Sequence, residues 1–167
     1  MRHLQRLRSE FDESFAHPAR APDGASIGLL EVTVAGQAFL IRVSEVSAVY
    51  ADKAISALPG AAPDLLGVAG FRGSVVAIFD LGLLLGLHGA SSHRWVIQAR
   101  NEHIGFALES FIGHAQVPAG TLHATREPGA TDTGQEVAQI RGVSHPLIEL
   151  SSVVDRVKRR VSAVREA

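Results

Sequence analysis

The chain reads as a mainly β protein, a small barrel or sandwich with a helix at each end. Three observations carry that expectation. Between Ile27 and Leu150, short runs rich in Val, Ile, Phe and Thr recur with turn residues between them, the pattern of many short strands. Helical spacing of apolar residues is confined to the two ends: Leu4, Leu7, Phe11 and Phe15, and then Val153, Val157, Val161 and Val164. Finally, 46% hydrophobic and 20% charged residues over 167 positions is ordinary globular composition. A chain of this length buries roughly two-thirds of its unfolded surface, so one globular unit of one or two lobes is expected.

Composition also removes whole classes of function. There is no cysteine, so disulfide scaffolds, thiolate metal sites and thiol nucleophiles are absent together, and stability must come from the core. A formal net charge of −1 provides no general attraction for nucleic acid or anionic lipid. Met1 to Arg8 is charged and lacks the apolar centre of a secretory signal. No stretch approaches the roughly 20 apolar residues that span a bilayer. A soluble, cytoplasmic protein without direct membrane insertion is expected.

Residues 1–24 read as an amphipathic helix over 4–15 followed by a linker, because His17 to Gly24 supplies two prolines and a glycine. A hairpin follows, Leu29 to Val34 and Gln37 to Val43, reversing at Ala35-Gly36, and then a strand from Val46 to Tyr50. Asp64-Leu65-Leu66 is expected to form a short turn of helix. Leu83 to Leu87 is too apolar for a free loop, and Gly86 is placed to close a helical turn. His88 to Ser92 is a break, read as the boundary between two lobes. The second half repeats the strand logic at Arg94–Ala99, Ile104–Leu108 and Phe111–Val117. Thr121 to Gly134 is polar and reads as a loop. Gln135–Gly142 and Val143–Leu150 form a last strand pair, broken at Ser144-His145-Pro146, where proline suits an edge or a turn. Residues 151–167 form a C-terminal helix with a serine as N-cap, and its Lys158-Arg159-Arg160 cluster reads as a solvated face that complements the helix dipole.

Catalytic patterns are missing from the sequence. The eight histidines are scattered, mostly over turns and linkers, without the His-x-His or His-Glu-x-x-His spacing that brings two imidazoles to one ion. Neither Ser74 nor Ser91-Ser92 sits in a Gly-x-Ser-x-Gly elbow. Gly67, Gly70 and Gly73 are not followed by a helix carrying a lysine, so no phosphate cradle forms. Asp80 and Glu109 remain as an acid–base pair that nothing in sequence places together. An aspartate ending an apolar strand more often makes a local turn hydrogen bond.

One stretch is hard to explain by burial alone. Gly67 to Leu81 reads as a strand, a tight turn at Phe71-Arg72-Gly73, and a second strand from Ser74 to Phe79. Gly73 can take the positive φ of a reversal, and the turn lifts Arg72 out of an apolar ribbon. Arg72 is the one charged residue between Asp64 and Asp80. A guanidinium cannot be neutralised and is costly to bury unpaired, so it must face water, a carboxylate or a partner.

Leu58-Pro59, Gly67-Val68, Phe71-Arg72-Gly73 and Val75-Val76-Ala77-Ile78-Phe79-Asp80-Leu81, in that order and spacing, resemble the core signature of CheW-type domains of bacterial chemotaxis coupling proteins. The resemblance covers roughly residues 27–155. It implies a CheW-like fold of two small five-stranded SH3-like β-barrels side by side, the first over about 25–88 and the second over about 93–150, with the boundary open to interleaving. It further implies an adaptor with no enzymatic activity, metal or cofactor. The implied partners are the regulatory domain of a CheA-type histidine kinase, the cytoplasmic tip of a chemoreceptor, and other copies within receptor arrays.

Carried over by residue, Arg72 matches the family's arginine at the junction of the barrels, between Phe71 and Gly73, and Val46 matches a valine of the receptor groove. Leu58, Gly67 and Gly73 match structural positions. Ala48 stands where the family has a glutamate, Gly70 where it has an asparagine and Ala77 where it has a proline. Leu108-Glu109-Ser110-Phe111 replaces Val-Asp-x-Val. The expected partner-binding set is therefore Arg72, Phe71, Gly73, Val46, Ala48 and Leu58. The alternative is a small-ligand or hydrolytic barrel using Asp80, Glu109 and a nearby histidine in a deep polar pocket.

Overall fold

The computed structural model describes residues 26–89, 92–124 and 136–165, with side chains as far as residue 161. The expected helix over 4–15 and its linker lie outside the described residues, as do residues 125–135. The expected mainly β architecture holds. The strands are β1 (Ser26–Val34), β2 (Gln37–Arg42), β3 (Val46–Ala51), β4 (Leu65–Phe71), β5 (Ser74–Asp80), β6 (Trp95–Ala99), β7 (Ile104–Leu108), β8 (Ser110–Pro118), β9 (Leu122–Ala124), β10 (Glu136–Ile140) and β11 (Val143–Ile148). A short helix, α1 (Leu81–Leu84), follows β5, and a long one, α2 (Leu150–Arg165), follows β11.

Two sheets form, with strand orders β8-β1-β2-β11-β10-β9 and β3-β6-β7-β5-β4. They have six and five strands, not five each, because Leu122–Ala124, expected in a loop, pairs with β10. Leaving β9 aside, both sheets follow one plan. A three-stranded antiparallel unit is joined to a hairpin by a single parallel pair, β2 with β11 in one sheet and β7 with β5 in the other. The break near residue 89 does not divide them. β1 and β2 pair among the strands of the chain's second half, while β6 and β7 complete the sheet of β3 to β5.

A repeat underlies this shared plan. Phe71-Arg72-Gly73-Ser74-Val75-Val76-Ala77-Ile78-Phe79-Asp80-Leu81 aligns without a gap on Ile140-Arg141-Gly142-Val143-Ser144-His145-Pro146-Leu147-Ile148-Glu149-Leu150. Each copy is an Arg-Gly turn, a strand, an acidic residue, and a leucine that opens a helix. Both turns hold φ positive at both central residues, 46° and 84° for Arg72 and Gly73, 50° and 82° for Arg141 and Gly142. That conformation matches the right-handed twist of the flanking strands, which is why hairpins use it. Glycine adopts it freely, whereas an arginine there costs about 1–2 kcal/mol that the flanking ladder must offset.

Several local expectations are corrected. Leu65 and Leu66 begin β4 instead of forming a helical turn, because pairing of Leu65 with Phe79 continues the β4–β5 ladder. Pro146 lies within β11 and does not break it. It pairs with Val137, and β2 joins β11 only at Leu147 and Ile148, so the missing proline N–H falls where that side of the strand has no ladder partner. Helix α2 starts at Leu150, and Ser151 is not its cap. Instead, Glu45, 106 positions away, accepts the Ser151 N–H at 3.0 Å. Its buried stripe is Leu150, Val153, Val154 and Val157, while Val161 is exposed. The basic cluster is not simply solvated: Lys158 bonds Glu102 at 2.5 Å, and Arg160 holds Asp64 at 2.6 and 3.1 Å.

The largest core cluster lies between the sheets. It joins Val32, Phe39 and Ile41 of one sheet to Ile97, Phe106 and Leu108 of the other, and the α2 stripe packs into the same cluster. Gly67 marks a close approach on the outer side, where Ser56 bridges to Val68. Its φ is 144°, and a Cβ there would stand 2.1 Å from the Ser56 carbonyl oxygen. Gly67→Ala is expected to lower unfolding free energy by at least about 2 kcal/mol in urea titration, since both the backbone and the neighbouring chain would have to shift.

Candidate functional site

The β4–β5 turn stands at one end of the five-stranded sheet, and a cleft of about 240 Å³ opens beside it. Strand β3 contributes Ser47, Ala48 and Tyr50, the turn contributes Phe71, Arg72 and Ser74, and the β6–β7 hairpin contributes Gln98 and His103. The floor is built from aromatics. Phe71, 4% exposed, packs against Tyr50 with ring centroids 4.5 Å apart, and the Lys53 ammonium lies 4.8 Å from the Phe71 centroid. Phe71, buried where the turn begins and packed on Tyr50 of β3, restrains the turn's backbone. Arg72, the next residue, is exposed and has no hydrogen-bond or ion-pair partner among the described residues.

The sequence-selected residues are thus brought together in part. Arg72, Phe71 and Ala48 line one cleft, and Gly73 completes the turn in open space. Val46 does not line the cleft: it is 7% exposed and packs in the core between the sheets. An irregularity between Val46 and Ala48 accounts for this, because a bulge changes which residues of a strand face inward. Leu58 is exposed, lies in the loop beyond the Ser56–Val68 bridge and is outside the cleft lining. Ser47, Gln98 and His103 were missed by the sequence reading, since β6 joins β3 only through a long-range pairing. The repeat of the Arg-Gly turn was legible to a self-comparison of the chain.

Arg100 secures the near wall. It donates to the carbonyls of Ser44 at 2.5 Å and Val46 at 2.8 Å, tying the β2–β3 connection to the β6–β7 turn. The replacement of the family's proline by Ala77 has a visible consequence as well. The Ala77 N–H donates to the His103 carbonyl at 3.0 Å, a bond that proline cannot make.

Asp80 and Glu109 have structural work. Asp80 is 1% exposed, accepts the Leu83 N–H at 3.1 Å as the cap of α1, and lies 2.7 Å from His93 Nε2. Glu109 accepts the Gly36 N–H at 2.9 Å, bracing the β1–β2 turn. No cavity described here is lined by Asp80, His93 or Glu109. Among the described residues no group of three or more His, Asp or Glu is placed to hold a metal ion. A separate apolar groove of about 280 Å³ runs between Leu65, Phe79, Val157 and Val161, rimmed by the Asp64–Arg160 pair.

The comparisons with known proteins agree with this geometry. A CheW-like domain model matches residues 28–132, more than half of the chain, and the chain belongs to that family, whose members are chemotaxis scaffold and adaptor domains. Among solved structures, the scaffolding protein TtCheW from Thermoanaerobacter tengcongensis is similar in fold, with a TM-score of 0.66 over 75% of this chain and 90% of that one, at 14% identity. No curated protein matches the sequence. Among the described residues no helix is long and apolar enough to cross a membrane.

If Asp80 serves as cap of the short helix and hydrogen-bond partner of His93, Asp80→Ala will lower stability by about 1–3 kcal/mol, because it strands the Leu83 N–H and the His93 imidazole together. Thermal and urea unfolding measure this. Stability equal to that of the parent chain would show that neither contact contributes.

Proposed function

We propose that this chain is a non-enzymatic adaptor that couples chemoreceptors to a CheA-type histidine kinase in chemotaxis or a related chemosensory pathway. Its place would be the cytoplasm, at membrane-associated receptor arrays in which copies also associate with one another. The carrying observation is Arg72: an exposed guanidinium with no partner among the described residues, on a turn braced by buried Phe71, at the position whose sequence resembles the arginine signature of CheW-type domains. Such an arrangement suits protein recognition. The charged group stays hydrated until a partner arrives, and its fork then fixes the partner's register by paired hydrogen bonds. The aromatic floor beside it supplies apolar area.

In this reading Phe71, Arg72, Gly73 and Ala48 form the contact. Leu58 offers apolar area at a distance from it, and Val46 acts through the core by holding β3 in place. The departures at Ala48, in the cleft, and Gly70, exposed two residues before Arg72, alter the surface around the guanidinium and leave the hydrophobic frame intact, so partner choice differs from that of relatives before the fold does.

Calorimetric titration of the full-length chain against the regulatory domain of each CheA-type kinase of its source genome, and against chemoreceptor tip fragments, tests the proposal. Arg72→Ala is expected to keep the parent melting temperature and weaken binding about tenfold or more, the loss typical of a central arginine. Parent-like affinity of that variant in both assays, or no binding by the parent chain to any of these partners, would refute the coupling role.

A further inference from the structure

Resting on the coupling reading, we infer that the Arg72 cleft takes a glutamate or aspartate side chain supplied by the protein partner. Arg72 and His103 line the cleft together with the hydroxyls of Ser47 and Ser74 and the amide of Gln98, and no carboxylate does. Lys53 adds a second fixed cation beside the aromatic floor. The carboxylates nearest in sequence to the lining are engaged elsewhere: Asp52 pairs with Arg94 at 3.2 Å, Glu102 with Lys158, and Glu45 caps α2 through the Ser151 N–H.

Position 48 sharpens the point. Ala48 lies in the same cleft as Arg72 and brings no polar side-chain group to it. A glutamate there would put a carboxylate in the cleft within the same molecule. With alanine, the space beside the guanidinium is left for a carboxylate from outside. The cleft has the size of a side chain, and the Arg72 guanidinium supplies a permanent cation that can pair both oxygens of a carboxylate, with the Ser74 hydroxyl in the same lining; the Ser47 hydroxyl is committed to the Gln98 and Ala99 carbonyls, and the Gln98 amide reaches the Glu102 carbonyl. A glutamate or aspartate presented on a protein surface is therefore the fitting occupant, and the aromatic floor would cover the neighbouring residues of the same partner segment.

The test places a carboxylate in the cleft. In the full-length chain, Ala48→Glu supplies an internal competitor, and Ala48→Gln supplies the same bulk without charge. Against the kinase domain or receptor fragment that binds the parent chain, Ala48→Glu is expected to weaken binding about tenfold or more and Ala48→Gln by less than about threefold. Equal weakening by the two would mean that bulk, not charge, matters and would overturn the inference.

A second measurement needs no partner protein. The Arg72 Nε–H resonance of the 15N-labelled parent chain should shift saturably when a blocked tetraglutamate peptide is added to about 10 mM, a range that reports even weak single-site affinity. The Ala48→Glu chain should show an altered resonance before any addition and no further response. No shift in the parent chain, an equal response from Ala48→Glu, or a larger response to inorganic phosphate at the same concentration would each overturn the assignment. A shift with peptide but no binding to kinase or receptor would instead remove the coupling role while leaving the cleft's ligand class standing.

Discussion

The packing of α2 onto the core shared by the two sheets is the contact on which the rest of the structure depends. Each sheet buries one face on itself, around Leu29, Leu40 and Leu147 in one and Val76, Ile78 and Val96 in the other, and turns its second face to a common core that Leu150, Val153, Val154 and Val157 join. Each such side chain contributes about 1.5–3 kcal/mol on burial, so the stripe rivals the net stability of a typical domain before entropy is counted. Polar contacts set the helix's position along this surface. Glu45 receives its first turn, Glu102 takes Lys158, and Asp64 takes Arg160 in a bidentate pair. These three carboxylates come from the five-stranded sheet's side of the molecule, so the helix that fills the core also ties the β2–β3 connection to the start of β4.

The cleft inherits its rigidity from this arrangement. Its walls are an edge strand and two hairpin turns, elements that fray when isolated. Here β3 is held by pairing with β6 and by the Arg100 clamp, and the β4–β5 turn is held by Phe71 beneath it. Arg72 can therefore remain in a left-handed conformation with its side chain unpaired. The conformational cost is borne by the ladder on either side, and the result is a charged group presented in one place.

The two copies of the Arg-Gly motif show how context changes the use of one local pattern. In the first, the acidic residue is Asp80, buried against His93, and the helix after it is a single turn. In the second it is Glu149, exposed and bonded to Ser152, and the helix runs from Leu150 to Arg165. Burial of the first acid closes a sheet compactly. After the second, the helix continues for about four turns and its apolar stripe joins the shared core.

What the sequence determined by itself was local: the reversals at Ala35-Gly36, Arg72-Gly73 and Gly86, the strand runs, the capping habit of Asp80, and the lifting of Arg72 out of an apolar ribbon. These depend on the backbone preferences and side-chain period of a few adjacent residues, and the family signature is written in the same short-range terms. What only the tertiary structure decided was partnership. β2 chose β11 and β7 chose β5, so that the sheets interleave the halves of the chain; Glu45, not Ser151, capped α2; Val46 turned inward at a bulge while Ala48 faced Arg72; and His103 and Gln98 arrived at the cleft from a hairpin far along the chain. Each of these is a contact between residues with no local claim on one another. They are selected because together they bury the inner faces and leave few polar groups unpaired, and that condition is a property of the whole packed chain.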